Sequence, residues 1–187
     1  MPVLWLIMII VAIAVFGFIL GRSRAIASAG GSAQELHSLP SYYGYNVLMK
    51  SIVPALGLLF VWLLTQPLFI EGRVIGMLPE SDRTEASNRS LLMAEVRRTA
   101  NGLNQAVELG LIDETMASNA LADLVDMTQR LKDAGQIVTN RITQPILHAS
   151  QAYREMSAIS RTLMTIAVIA IAIVGVAWGV KESQKDF

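Results

Sequence analysis

The sequence predicts an all-α membrane protein with three transmembrane helices and an extracytoplasmic helical hairpin between the second and the third. Three observations lead to this fold class. The 187 residues are 53% hydrophobic with a mean hydropathy of +0.48, which is too apolar for an ordinary soluble domain. The apolar residues are concentrated in three long runs. Between the second and third runs, apolar residues recur at helical spacing among most of the charged residues.

The first run, residues 3–20, is almost wholly apolar, and at 1.5 Å per residue it would extend about 27 Å, close to the thickness of the hydrocarbon core. Its nearest positive charges, Arg22 and Arg24, follow the run. A secretory signal peptide carries its positive charges before the apolar run. The pattern therefore predicts a retained transmembrane helix.

The second and third runs, residues 52–70 and 162–180, are about as long as the first. Pro54 falls in the first turn predicted for the second span, where a missing backbone N–H is harmless. Arg161 and Lys181 bound the third run, as charged residues commonly do at the ends of membrane helices. Each run predicts one transmembrane helix.

The connector between the first two spans, residues 21–50, carries three basic residues and one acidic residue. By the positive-inside rule this short connector is cytoplasmic. Three spans then place the N-terminus and the long segment before the third span on the other side, and the C-terminal tail in the cytoplasm. The predicted organisation is residues 1–70 with two spans, residues 71–161 as the external hairpin, and residues 162–187 as the third span and tail.

The segment between the second and third spans predicts two helical arms. The first arm covers about residues 88–109, and Gly110 ends it while Asp113 caps the next helix. The apolar pattern of the second arm continues from Ala117 to Met156 and into the third span, with a kink at Pro145. The expected product is a nearly continuous rod on the order of 100 Å at 1.5 Å per residue.

Motifs that would support catalysis are missing from the sequence, which has no phosphate-binding glycine loop, nucleophile elbow or H-E-x-x-H pattern. The chain has no Cys and only two His, His37 and His148, both more typical of surface or packing positions than of metal ligands. Its net charge of zero provides no basic field for nucleic acid. We therefore expect no enzyme, no cofactor, no metal and no nucleic-acid partner.

Two G-x-x-x-G patterns fall near the predicted cytoplasmic ends of spans one and three. They are formed by Gly17 with Gly21 and by Gly175 with Gly179. Such pairs allow helix backbones to approach closely. One hypothesis is that they seat these spans against a larger membrane partner. The alternative is that they make no special contact, because glycine is common in membrane helices.

The connector and the start of the second span, LHSLPSYYGYNVLMKSIVPALGLLFVWL (residues 36–63), resemble a known family. The stretch is similar to the N-terminal region of PstC, the permease subunit of bacterial phosphate ABC importers, in its long proteobacterial form. The order of two spans, a helical segment and a third span agrees with that family over essentially the whole chain. The positions that carry the resemblance are Gly21, Arg22, Leu36, His37, Ser38, Pro40, Tyr43, Gly44, Pro54 and Ala55.

The resemblance implies a multi-pass protein of the bacterial inner membrane, with a periplasmic N-terminus and a cytoplasmic C-terminus. It implies a role in phosphate uptake through assembly, docking or regulation. The implied partners are the lipid bilayer, a permease core with its partner permease subunit, the ATPase subunit indirectly, and the periplasmic phosphate-binding protein as a further candidate. The family's permease core would follow the third span, so the chain is expected to be either the N-terminal portion of a longer permease or a split subunit beside a separate core.

Within this reading the connector is predicted to form an ordered turn. Pro40 and Gly44 would fix the backbone, and Tyr42, Tyr43 and Tyr45 would lie at the headgroup level. His37 and Tyr43 are expected to serve assembly. A plain interfacial anchor for the loop would explain the same aromatic residues.

Two other functions fit the predicted topology. Two spans around an external helical region also describe sensor input modules, although seven residues after the third span are too few for a cytoplasmic output domain. A scaffold subunit of another membrane complex, with the hairpin as a docking surface, is the second alternative.

Overall fold

A computed structural model of the chain describes residues 3–28, 40–79, 86–119, 124–133, 135 and 143–182. These residues are helical apart from short turns, and the described ranges contain no strand. The predicted all-α membrane fold is therefore confirmed. The helices are α1 (Val3–Ser28), α2 (Pro40–Ile75), α3 (Ala86–Glu108), α4 (Glu114–Ser118), α5 (Leu124–Asp133) and α6 (Gln144–Glu182).

Three of these helices, α1, α2 and α6, are long and apolar enough to cross a membrane. They contain the three predicted spans. Each helix also continues beyond its apolar run, most of all α2, which starts twelve residues before residue 52, and α6, which starts eighteen residues before residue 162. Each predicted apolar run thus lies on a helix able to cross a membrane, but the sequence underestimated the length of these helices.

The start of α2 corrects the predicted turn in the connector. Pro40 is the first helical residue, a position where its fixed φ and missing N–H are favourable. Tyr43 and Gly44 therefore lie on a helix and do not form a turn. Pro54 lies inside α2 and not in a first turn, so it cannot donate a hydrogen bond to the carbonyl of Lys50 four residues earlier.

The chain forms two compact units. The first, Met1–Thr65 with Ser160–Phe187, is called the membrane unit below. The second, Gln66–Ile159, is called the intervening unit. The membrane unit has a core of seven buried apolar residues, Leu6, Ile10, Ala55, Leu59, Met164, Val168 and Ala172.

Within the intervening unit, α3 follows the predicted first arm closely. It ends in a Schellman motif, in which the amide of Leu111 donates to the Ala106 carbonyl at 2.9 Å and that of Gly110 donates to the Val107 carbonyl at 3.0 Å. Gly110 has a φ of +70°, which glycine adopts without steric cost. Val96 and Leu103 on this helix are fully buried.

The second predicted arm is not one helix, and this expectation was wrong. Its sequence is divided among α4, α5 and the start of α6. Gly135, with a φ of +79°, lies just beyond the end of α5 in a conformation that does not continue a right-handed helix. Pro145 lies in the first turn of α6, so it begins this helix and does not kink it. The expected rod of 100 Å is replaced by a helix of about 58 Å at 1.5 Å per residue.

The apolar face of the second arm is nevertheless correct where the structure describes it. Ala117, Met127, Leu131 and Ala149 are buried in the core of the intervening unit. Each large aliphatic side chain buried there contributes roughly 1.5–3 kcal/mol relative to an exposed one. The separate helices α4, α5 and α6 therefore bury the apolar face that a single helix was expected to bury.

Polar contacts hold the α6 end of the intervening unit. The Arg154 side chain is only 9% exposed. Its Nε donates to Asn104 Oδ1 at 2.7 Å. Its Nη2 lies 3.1 Å from both carboxylate oxygens of Glu114. Ser150 Oγ donates to the Val96 carbonyl at 3.1 Å. These hydrogen bonds join α6 to α3 and α4 through polar residues, which the apolar sequence pattern does not identify.

Candidate functional site

In the membrane unit, α1, α2 and α6 meet around Val47, which is fully buried. Cβ atoms placed on Gly17, Gly21 and Gly179 would lie 3.2, 2.7 and 2.8 Å from Val47 atoms. Real Cβ contacts below 3.0 Å are essentially never seen. The three glycines therefore form a socket for Val47, and we call this set the glycine socket.

Gly175 makes the closest approach between α2 and α6. A Cβ there would lie 2.7 Å from the Ser51 Cα and 2.9 Å from the Lys50 carbonyl carbon, both of which are backbone atoms. Ser51 is fully buried, and its hydroxyl donates to the Ala172 carbonyl at 2.9 Å. Hydrogen bonds between helices and small residues at the contact are the main sources of association in a membrane, because lipid is as apolar as the side chains.

The start of α2 packs against α1 through Gly44. A Cβ on Gly44 would lie 2.7 Å from Phe18 Cδ2 and 2.9 Å from the Phe18 carbonyl oxygen. The Tyr45 ring meets the Phe18 ring edge-on at 5.0 Å, and Tyr43 is buried. Close packing of the two helices, and not a turn, explains why small and aromatic residues alternate here.

The structure brings six of the eight predicted assembly residues to this junction: Gly17, Gly21, Tyr43, Gly44, Gly175 and Gly179. Pro40 begins α2, and His37 lies outside the described residues. The neighbours of the four predicted membrane-contact glycines belong to the chain itself. Helices of the same chain therefore pack on these glycines, and the hypothesis that they seat the spans against another membrane protein stays a prediction.

Two residues of the junction were not predicted, Val47 and Ser51. Together with Ala55 they recur every fourth residue along α2, and all three are fully buried. That spacing of small or branched residues is the signal that could have identified the α2 face. The spacing does not reveal that glycines of α1 and α6 pack on this face of α2.

Charged side chains lie at one end of the junction. Lys50 Nζ on α2 forms an ion pair with Glu182 at the end of α6. Arg22 and Arg24 follow Gly21 on α1, and Lys181 precedes Glu182, so the described residues at this end carry four bases and one acid. This end therefore has a net positive charge.

The intervening unit carries one carboxyl group with a shifted pKa. Asp113 caps α4, accepting from the Met116 amide at 2.6 Å and from the Thr115 hydroxyl at 2.7 Å. The bond from the Met116 amide, followed by that from Thr115, holds the pKa of Asp113 below its ordinary value of 3.8. The predicted capping role of Asp113 is confirmed.

The residues that the structure describes contain no cluster of three or more His, Asp or Glu able to hold a metal ion. His148 is exposed on the first turns of α6. The described part of the chain offers close helix packing and a charged end.

Comparison with known families decides the class of protein. Residues 7–177 match the model of a family described as phosphate ATP-binding cassette transporter. The chain belongs to this family. The match covers most of α1, most of α6 and everything between them, so the phosphate-transporter family is shown for nearly the whole chain. No curated protein and no solved structure matches it.

Membership in the phosphate ATP-binding cassette transporter family confirms the link to phosphate transport that the connector motif predicted. Together with three helices able to cross a membrane, it supports a membrane location within a transporter system. The narrower assignment to the PstC permease subunit stays a prediction.

Proposed function

We propose that the chain is a membrane-embedded N-terminal or accessory module of a phosphate importer's permease, which contributes to uptake through assembly, docking or regulation and not through catalysis. The observation that carries the proposal is the family match over residues 7–177, which includes the second membrane-competent helix and most of the first and the third. The connector motif adds the likeness to the permease subunit in particular.

The surfaces of the three spans support a role beside other membrane subunits. In the most apolar window of α1 and of α2 only 22% of the residues are buried within the chain, and in that of α6 only 33%. The remaining faces are apolar and open to lipid or to helices of a permease core. We propose that core, its partner permease subunit and, through them, the ATPase as the partners.

The charge pattern supports an orientation. Arg22, Lys50 and Lys181 lie at one end of the membrane unit, and the positive-inside rule assigns such an end to the cytoplasm. We propose a bacterial inner-membrane protein with a periplasmic N-terminus, a cytoplasmic C-terminus and a periplasmic intervening unit. The periplasmic phosphate-binding protein is then a candidate for docking on that unit.

Uptake kinetics of radiolabelled phosphate test this function. Deleting the coding region for this chain in its native bacterium, at low external phosphate, should lower the maximal uptake rate. Restoring the chain with Gly179→Leu should fail to rescue, because a side chain there meets the Val47 backbone, whereas Gly57→Leu should rescue, since nothing lies within 4 Å of Gly57.

The form of the defect separates the proposed roles. A lower maximal rate with an unchanged KM indicates fewer assembled transporters, while a raised KM indicates poorer docking of the binding protein. Unchanged uptake in the deletion strain, with the importer as its sole phosphate route, would refute the proposed function.

One observation favours a sensor-like contribution as the second candidate. α6 is a single helix from Gln144 to Glu182, so it joins the intervening unit to the third span without a break. Such a helix can transmit a change of state between two regions. If deletion altered the expression of phosphate-regulated genes while uptake stayed normal, this second function would be preferred.

A further inference from the structure

A groove of about 640 Å³ runs along the membrane unit between α2 and α6. Its walls are apolar, and it is a different surface from the glycine socket, since most of its side chains point out of the helix bundle. Among the residues that line it are Met49, Val53 and Pro54 on α2 and Ile171, Val174 and Trp178 on α6. A volume of this size is within the range of small-molecule sites in proteins.

The groove is open to the surrounding medium. Val53, Val174 and Trp178 are 59%, 61% and 67% exposed. At this depth in a membrane helix the medium is lipid, so acyl chains are the apolar groups available to fill it. The first feature of the ligand is therefore a long apolar portion.

The charged end of the groove indicates a second feature of the ligand, an anionic headgroup. Lys50 lines the groove and pairs with Glu182, which neutralises its charge. Lys181 continues the α6 stripe of Val174 and Trp178 at helical spacing and is exposed. With Arg22 and Arg24 at the same end, the surroundings of the groove mouth remain positive, and Trp178 is an aromatic residue suited to the headgroup level.

We infer that this groove binds an anionic phospholipid, with an acyl chain along Val53 and Val174 and the phosphate of the headgroup near Lys181. A transmembrane helix fits the groove less well. Close helix contacts need small residues on the surface. Apart from Ala170, the exposed rim consists of larger side chains, and Gly175 is already covered by the Lys50 backbone.

Native mass spectrometry of the full chain tests this inference. The protein would be reconstituted in bilayers of equimolar phosphatidylcholine and phosphatidylglycerol, extracted in mild detergent, and weighed with the lipids it retains. We expect selective retention of phosphatidylglycerol. Val53→Phe, which fills the groove, should abolish that retention.

The matched control is Val61→Phe, since Val61 is on the same helix, is 54% exposed and does not line the groove. This variant should retain phosphatidylglycerol like the wild type. Lys181→Gln alters no packed residue, and it should weaken the preference about fivefold, the factor expected for one basic residue beside an anionic headgroup.

Three results would overturn the inference: equal retention in the two Phe variants, no preference between the two lipids, or an unchanged preference in Lys181→Gln. A photo-crosslinker at position 53 in native membranes supplies an independent measurement. Lipid adducts are expected there, whereas a polypeptide adduct would assign the groove to a partner helix and refute lipid binding. None of these readouts depends on phosphate uptake, so the inference and the proposed function can fail separately.

Discussion

Replacing Gly175 with Ala tests the close contact between α2 and α6. The new Cβ would lie 2.7 Å from the Ser51 Cα, and ordinary van der Waals contact begins near 3.4 Å. The two helices must therefore separate locally by more than about 0.7 Å, the difference between these distances, because the Lys50 carbonyl oxygen lies closer still to the new Cβ. Rotating a side chain cannot relieve the clash because the atoms that Ala would meet belong to the α2 backbone.

The size of the effect follows from three contributions. Overpacking of this kind costs about 1–3 kcal/mol. Separating the helices also weakens the hydrogen bond from Ser51 to the Ala172 carbonyl, which costs about 0.6 kcal/mol for an average bond between membrane helices. The higher helix propensity of Ala offsets up to about 1 kcal/mol. We expect a net loss of about 0.6–3.6 kcal/mol in the free energy of unfolding, the range that these three contributions give.

Unfolding in mixed micelles, followed by circular dichroism as a denaturing detergent is titrated, measures this loss. Gly57→Ala is the control, since it makes the same chemical change on α2 with no atom within 4 Å of the new Cβ. It should unfold at or above the wild-type midpoint. If Gly175→Ala unfolded at the midpoint of Gly57→Ala, the close approach of the two helices would be wrong.

Three further predictions concern polar groups. Ser51→Ala should lower the free energy of unfolding by about 0.6 kcal/mol in the same titration, and an unchanged midpoint would mean that its buried hydrogen bond contributes nothing. Arg154→Met should destabilise the intervening unit by about 1.5–3 kcal/mol, because its charge-assisted hydrogen bonds are lost. Amide exchange in α3 measures this loss. The control Arg98→Met, at an exposed position, should have little effect. Because the pKa of Asp113 is lowered in the folded chain, its stabilising contribution is present above pH 3.8 and is lost as the pH falls through the folded pKa. Exchange protection of the Met116 amide should decrease in that acidic range, and Asp113→Asn should remove this pH dependence. Equal protection of the wild-type amide across the range would contradict a stabilising role for the Asp113 carboxylate.

Features set by local chemistry were predictable from the sequence. The three apolar runs identify the spans because few sequences outside membranes are so uniformly apolar over this length. Gly110 and Asp113 were predicted as helix boundaries because a left-handed glycine and a carboxylate cap act within a few residues. The predicted glycine pairs indeed mark close helix contacts.

Features that depend on distant contacts were not predictable in the same way. The motif around Pro40 and Gly44 contains two common turn residues, but packing of Gly44 on Phe18 favours a helix. Gly135 lies within a regular apolar pattern, and a glycine inside a helix costs only about 1 kcal/mol, so its sequence position alone did not reveal a break. Which helix covers each glycine is decided by contacts between residues more than a hundred positions apart, such as Val47 with Gly179.

The close helix contacts of the membrane unit use small residues. Gly17, Gly21, Gly175, Gly179 and the buried Ser51 make these contacts within the chain. Many large apolar residues of the same unit, such as Phe60 and Leu64, are exposed.

Affinity purification from native membranes tests the central claim most directly. The chain would carry a tag at its own chromosomal locus, the membranes would be solubilised in a mild detergent, and co-purifying polypeptides would be quantified by mass spectrometry. We expect the permease core and the ATPase of a phosphate importer to be recovered in constant proportion to the tagged chain. Recovery of the chain without them, under conditions in which that importer itself stays intact, would contradict the claim.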